Sequence, residues 1–247
     1  MNKNSIIDFD SEYNTWFDST YYHMLYEDRG YNEAKKFVHT ILNHLKLDKN
    51  SKILDAACGK GRHSIEIEKL GYNVTGIDLS KNSINEAKKY ENINLKFLIH
   101  DISIQLKSKF DAVFNLFTSF GYFEKEEDNL KTIKSIKSEL KPNGYGVIDF
   151  LNIDFVENHL VPSETKIVDT ITFFIEREIK DGYIFKNIKF KHNNQDYNFT
   201  EKVKAISLLD FKNYFREAGV NLIYSFGDYQ LNEYNKENSS RLILIFN

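Results

Sequence analysis

A single cysteine, Cys58, occurs in 247 residues, so no disulfide can close within the chain, and a cysteine-built zinc site has too few ligands. Only two prolines occur, so there is no proline-rich linker or stalk. No apolar run approaches the roughly 20 residues of a membrane span. The first residues, Met1 to Asp8, lack the apolar stretch of a secretory signal. Positive charge is not in excess: 33 Lys and Arg face 36 Asp and Glu, for a net charge of −3. The arginines (Arg29, Arg62, Arg177, Arg216, Arg241) are scattered, so the electrostatic footprint of a nucleic-acid binder is missing. These absences lead to the expectation of a cytoplasmic protein without metal, membrane or nucleic-acid partner.

What remains is globular in character, with 41% hydrophobic and 28% charged residues. Aromatics are plentiful, and the segment Trp16–Tyr26 is dense in them. After it, Ala34, Phe37, Val38, Ile41, Leu42 and Leu45 recur at steps of three and four and predict one amphipathic helix. From residue 52 strands and helices alternate. Strands are predicted over 52–57, 73–78, 95–101, 110–116 and 145–151, with helices over 62–70, 80–90 and 126–140 between them. That alternation predicts right-handed βαβ units in a doubly wound parallel sheet.

The pattern changes after the fifth strand. Residues 166–206 read as an antiparallel meander, with Asp181-Gly182 as a hairpin turn and Asn193 to Asp196 as a second turn. A helix over 208–217, ending at Gly219, and two strands over 221–225 and 241–246 finish the chain. The meander is therefore an insertion into one α/β domain.

Ligands of such sheets bind beyond the carboxyl ends of the strands. There the sequence places Asp55-Ala56-Ala57-Cys58-Gly59-Lys60-Gly61, a turn whose glycines let backbone approach a ligand. Asp55, Asp78 and Asp101 follow at intervals of 23 residues, one strand–helix unit each, so three carboxylates are expected along one edge. An acid ending the second strand is suited to a ribose diol, and three together call for a cationic or donor-rich ligand.

The stretch Ile53 to Ser64, followed by Val74-Thr75-Gly76-Ile77-Asp78-Leu79-Ser80, resembles the class I S-adenosylmethionine-dependent methyltransferase family of small-molecule type. The resemblance covers about residue 34 to the end. It implies a Rossmann-like, mostly parallel seven-stranded α/β sheet with an antiparallel β insertion. Residues 1–162 would hold lid helices and the cofactor core, 163–206 the insertion, and 207–247 the closing helix and strands. It also implies S-adenosyl-L-methionine as cofactor. Asp55, Ala57, Cys58, Gly59 and Gly61 would lie along its methionine part. Asp78 would take the ribose, Leu79 the adenine face, and Asp101 with Ile102 the adenine edge. Asn115 to Phe117 would floor the site, and Tyr22 or Tyr26 of the aromatic segment would reach the cofactor carboxylate. Ala57 departs from the family's usual glycine. A nicotinamide-binding domain is the rival, but its third glycine is Ser64 here.

Methyl transfer from a sulfonium needs alignment above all, and a base only for a protonated nucleophile. His23, His63 and Tyr122 are the candidates. Asn115-Leu116-Phe117-Thr118 lacks the Asn-Pro-Pro-Tyr signature of enzymes acting on amides or adenine. A small-molecule acceptor, methylated on oxygen or nitrogen, is the expectation; a cofactor-binding protein without transferase activity is the alternative. The insertion is expected to roof the crevice and to offer a homodimer surface.

Overall fold

The computed structural model describes residues 16–26, 31–123 and 125–247. Arg29 and residues 1–15 of the N-terminal segment lie outside them.

Helices α1 (Thr20–Leu25) and α2 (Tyr31–Leu45) precede the sheet. The βαβ run follows: β1 (Lys52–Ala56), α3 (Arg62–Lys69), β2 (Asn73–Asp78), α4 (Lys81–Ala87) with a 3-10 turn over 88–90, β3 (Leu95–Ile99), β4 (Phe110–Asn115), α5 (Glu126–Glu139) and β5 (Leu140–Leu151). Helix α6 (Ile153–His159) leads into β6 (Ser163–Val168), β7 (Ile171–Lys180), β8 (Tyr183–His192) and β9 (Gln195–Lys204). The chain closes with α7 (Leu208–Ala218), β10 (Leu222–Phe226) and β11 (Arg241–Phe246).

The large sheet has the order β10-β11-β5-β4-β1-β2-β3, parallel from β5 to β3, with β11 antiparallel to both of its neighbours. The strand order reverses between β1 and β4, which sets the ligand crevice at their carboxyl ends. Alternation along the strands feeds two cores. Ile53, Phe114, Val147, Ile243 and Ile245 face α2, α3 and α4, whereas Leu54, Val113, Ile148, Leu242, Leu244 and Phe246 face α5 and α7. Each such buried side chain contributes about 1.5–3 kcal/mol of transfer free energy.

Two details differ from the sequence reading. Strand β5 begins at Leu140, which pairs with Phe110; the ladder then breaks at the Pro142-Asn143 turn and resumes with Tyr145 opposite Ala112. Helix α6 is too short to show periodicity, and it is anchored through the buried Asn152, which donates to the carbonyls of Lys236 and Ser239.

The insertion is a four-stranded antiparallel sheet in sequential order. Its hairpins turn at Asp181-Gly182 and Asn193-Asn194, all with positive φ (52°, 76°, 50° and 61°), the two-residue geometry that matches strand twist. One face carries Ile171, Phe173, Ile175, Ile188 and Phe190, which bury Trp16 and Leu25 of the N-terminal segment. Phe174, one residue out of phase, points the other way and is 55% exposed.

Candidate functional site

The turn after β1 is built from alternating left-handed residues: Ala57 (φ 65°), Gly59 (φ 54°) and Gly61 (φ 81°). Gly61 caps α3. A Cβ on Gly61 would lie 2.6 Å from the Phe97 ring, whereas one on Gly59 would meet nothing within 4 Å among the described residues. Backbone at Gly59 therefore borders open space, the cradle a ligand needs.

That space is a cavity of about 1440 Å³ over the strand ends. Asp78 ends β2 at its edge. Its carboxylate accepts from the amides of Gly59 and Ser80, each at 2.8 Å, and burial pushes its pKa up against those bonds. Leu79, Asp101, Ile102 and Phe117 line the cavity with Ala57 and Gly59. Asp101 also accepts from the Ser103 amide at 2.8 Å. A cavity of this size, with a carboxylate at the ribose position, an apolar plate beside it and an open glycine turn, fits a nucleoside cofactor together with a small second molecule.

Five of the residues singled out from sequence do not line the cavity. Asp55 lies beneath the turn, 1% exposed, accepting from the Ser64 hydroxyl at 2.5 Å; burial raises its pKa to about 6. The expected edge of three acids is thus two lining acids over a buried third. Cys58 is packed at the turn, its thiol pKa pushed well up by burial. Gly61 abuts Phe97. Asn115 is fully buried and donates to the carbonyl of Ala56 at 3.0 Å, under the floor rather than in it.

His63 is the fifth, buried with its Nε2 unpartnered among the described residues and its ring 4.9 Å from Phe117. Burial and the neighbouring Arg62 lower its pKa to about 3, so it stays neutral in the fold and has no path to an acceptor. Between pH 6.5 and 3 the unfolded chain binds a proton on this residue that the folded chain refuses, so stability falls as pH falls. Replacing His63 by Phe is expected to flatten this acid limb, removing about 2–3 kcal/mol of loss between pH 7 and 4.5. Urea midpoints at the two pH values, taken as a difference within each protein, give the measurement.

The N-terminal segment closes one side. Asp18 accepts from Ser80 Oγ at 2.5 Å and from the Asn82 amide at 2.9 Å, tying the segment to the start of α4. Tyr22, His23 and Tyr26 line the cavity, as does Tyr122, whose ring packs edge-on against Phe17. Burial and Lys60 lower the His23 pKa to about 4, and its Nε2 lies 3.4 Å from Ser83 Oγ. Arg177, Ile184, Lys186, Glu201 and Val203 of the insertion line the same cavity beside that segment, with Glu201 accepting from Trp16 and Tyr26.

Sequence reading missed a buried ion pair at the far end. Asp149 of β5 is fully buried and accepts from Arg241 Nε and from the Phe117 amide, each at 2.8 Å; Arg241 also donates to Thr118 Oγ1 at 2.9 Å. Phe117 and Thr118 are successive left-handed residues (φ 59° and 60°), and the Phe117 ring stacks on Tyr229 at 5.3 Å. The signal was available: an aspartate inside the apolar run of β5 and an arginine opening that of β11 must find partners.

A family model described as a methyltransferase domain matches residues 47–219. Among curated proteins, the chain is 30% identical over 160 residues to a probable S-adenosyl-L-methionine-dependent methyltransferase TehB of Haemophilus influenzae, covering 63% of this chain and 52% of that one. It is 31% identical over 136 residues to a glycine/sarcosine N-methyltransferase of Aphanothece halophytica, covering 52% and 49%. The chain thus spans about half the length of these curated relatives. Among solved structures, an S-adenosylmethionine-dependent methyltransferase from Clostridium acetobutylicum shares the fold with a TM-score of 0.78 at 19% identity, over 96% of this chain and 98% of that one. With the family model covering more than half of the sequence, and the fold and strand-end turn in agreement with it, the chain belongs to the class I S-adenosylmethionine-dependent methyltransferases.

Proposed function

We propose that the protein transfers a methyl group from S-adenosylmethionine to an oxygen or nitrogen of a small acceptor held in the roofed cavity. The observation that carries this reading is that one cavity runs from Asp78 and Asp101 to Arg177, Lys186 and Glu201 of the insertion, with the N-terminal aromatics along its side. A groove for a macromolecule would have to be open where these residues stand. When bound, the cofactor supplies a methyl group on a cationic sulfonium. Asp78 holds the ribose hydroxyls, Leu79 and Ile102 flank the adenine, and the open backbone at Gly59 accommodates the methionine part. Phe117, fixed by Asp149 and Tyr229, walls the space where the acceptor lies. The enclosing segments exclude water and align the acceptor, which is the main requirement of an in-line displacement with a neutral leaving group.

Replacing Asp78 by alanine is expected to weaken binding of S-adenosylhomocysteine by about 1.5–3 kcal/mol, the scale of hydrogen bonds to a charged group. Calorimetry on the wild type and the variant, with NAD as a non-binding control, gives the answer. Unchanged affinity in the variant would place the ribose elsewhere, and binding of NAD in preference would overturn the reading.

A further inference from the structure

The insertion sheet presents a charged row where its strands cross the cavity. Arg177 of β7 lies opposite Lys186 of β8, and Lys186 lies opposite Glu201 of β9, so all three project from one face. The row sits between two apolar ones, Ile175–Ile188–Phe199 and Ile179–Ile184–Val203. Charges set into an apolar face are costly unless each finds a partner. Arg177 has Glu164 and the Val161 carbonyl, and Lys186 has the Tyr26 hydroxyl. Glu201 is served on one side only. Its Oε1 accepts from the Trp16 indole at 2.8 Å and from the Tyr26 hydroxyl at 2.6 Å, while its Oε2 makes no hydrogen bond among the described residues.

From this geometry we infer that Glu201 Oε2 holds an amino group of the acceptor, and that the substrates are small molecules carrying a basic aliphatic amine. The inference rests on the proposed function, since it takes the space under the insertion as the acceptor's. Two donors on Oε1 fix the carboxylate and leave the other oxygen for a ligand, and an ammonium there makes a charge-assisted bond that an alcohol cannot match. The field of the cavity agrees. Among the described residues, six carboxylates line it against four lysine and arginine side chains, and Arg177 and Arg241 are paired with Glu164 and Asp149. A cationic acceptor is drawn into such a cavity, whereas a phosphorylated or carboxylated one enters against it.

Trp16 is the only tryptophan of the chain, and its indole is bonded to Glu201, so its fluorescence reports on this site. The test titrates the full chain, saturated with S-adenosylhomocysteine, with cyclohexylamine and separately with cyclohexanol at constant ionic strength. The amine is expected to give a saturable change in emission and to bind about tenfold tighter than the alcohol. Glu201→Gln keeps an oxygen for Trp16 and Tyr26 and should weaken the amine about tenfold, leaving the alcohol and S-adenosylhomocysteine unaffected. Equal binding of amine and alcohol, no saturable response to the amine, or a preference that survives in E201Q would overturn the inference. So would an equal loss of S-adenosylhomocysteine affinity in E201Q, which would assign Glu201 to the donor. If wild-type protein fails to bind S-adenosylhomocysteine at all, the proposed function falls, and this inference with it.

Discussion

Replacing Arg241 by alanine is expected to lower the unfolding free energy by about 3–5 kcal/mol, because it strands a buried carboxylate without its counter-charge. Asp149 is 0% exposed between Ile148 and Phe150, and the guanidinium is its counter-charge. The same change removes the bond to Thr118, so the two left-handed residues at the end of β4 lose part of what holds them. Such conformations cost roughly 1–2 kcal/mol per residue in a non-glycine chain and persist only where the surroundings fix them. The pH dependence follows from the pair. Burial pushes the Asp149 carboxyl up while Arg241 holds it down. Without Arg241 the folded pKa rises further above the unfolded one, so the variant's stability is best preserved at low pH and is lost as pH rises. Urea unfolding at about pH 5 and pH 8 should show the larger loss at pH 8. Combining Arg241→Met with Asp149→Leu should recover much of it, since an apolar pair leaves no buried charge. A loss below about 1 kcal/mol at pH 8 would mean that Asp149 carries no buried charge in the fold.

The fold was legible where periodicity was long and turns were chemically marked. The steps of three and four from Ala34 to Leu45, the strand–helix alternation from Lys52, and the Asp181-Gly182 turn each correspond to an element of the structure. Strand β6 opens at Ser163, the first residue of the expected insertion, but the strand pattern itself is legible only from Lys166, because Ser163-Glu164-Thr165 is polar and lies at a sheet edge, where no alternation is enforced. Within the site, spacing identified strand ends but not depth. Asp55 and Asp78 occupy equivalent positions in successive strand–helix units, yet Asp55 lies on a central strand and turns under the loop to Ser64, whereas Asp78 reaches the cavity. The Asp149–Arg241 pair joins residues 92 apart, and only the antiparallel insertion of β11 beside β5 brings them together. Glu201 was concealed in the same way. A glutamate in an alternating strand reads as solvent-facing until the sheet is folded over the crevice.

The two glycines of the strand-end turn are expected to respond in opposite ways to the same substitution. Gly61→Ala should cost about 2–5 kcal/mol of stability, the sum of a left-handed alanine and an overpacked contact. Its φ is 81°, and the new methyl would lie 2.6 Å from Phe97 Cζ and 3.4 Å from Ala87 Cβ. Phe97 is 0% exposed and has little room to retreat. Gly59→Ala carries the backbone cost alone, about 1–2 kcal/mol, because no atom of the described residues stands within 4 Å of the added carbon. That emptiness belongs to the cavity, and the methyl would occupy ground that the proposed donor needs. Affinity for S-adenosylhomocysteine should therefore fall in Gly59→Ala by about tenfold or more, equivalent to at least about 1.4 kcal/mol. Urea midpoints and calorimetry on both variants separate the two effects, with the larger stability loss in one protein and the direct binding loss in the other. Wild-type affinity in Gly59→Ala would show that the open side of this turn is not where the donor lies, and a Gly61→Ala protein as stable as the wild type would show that Phe97 can move aside.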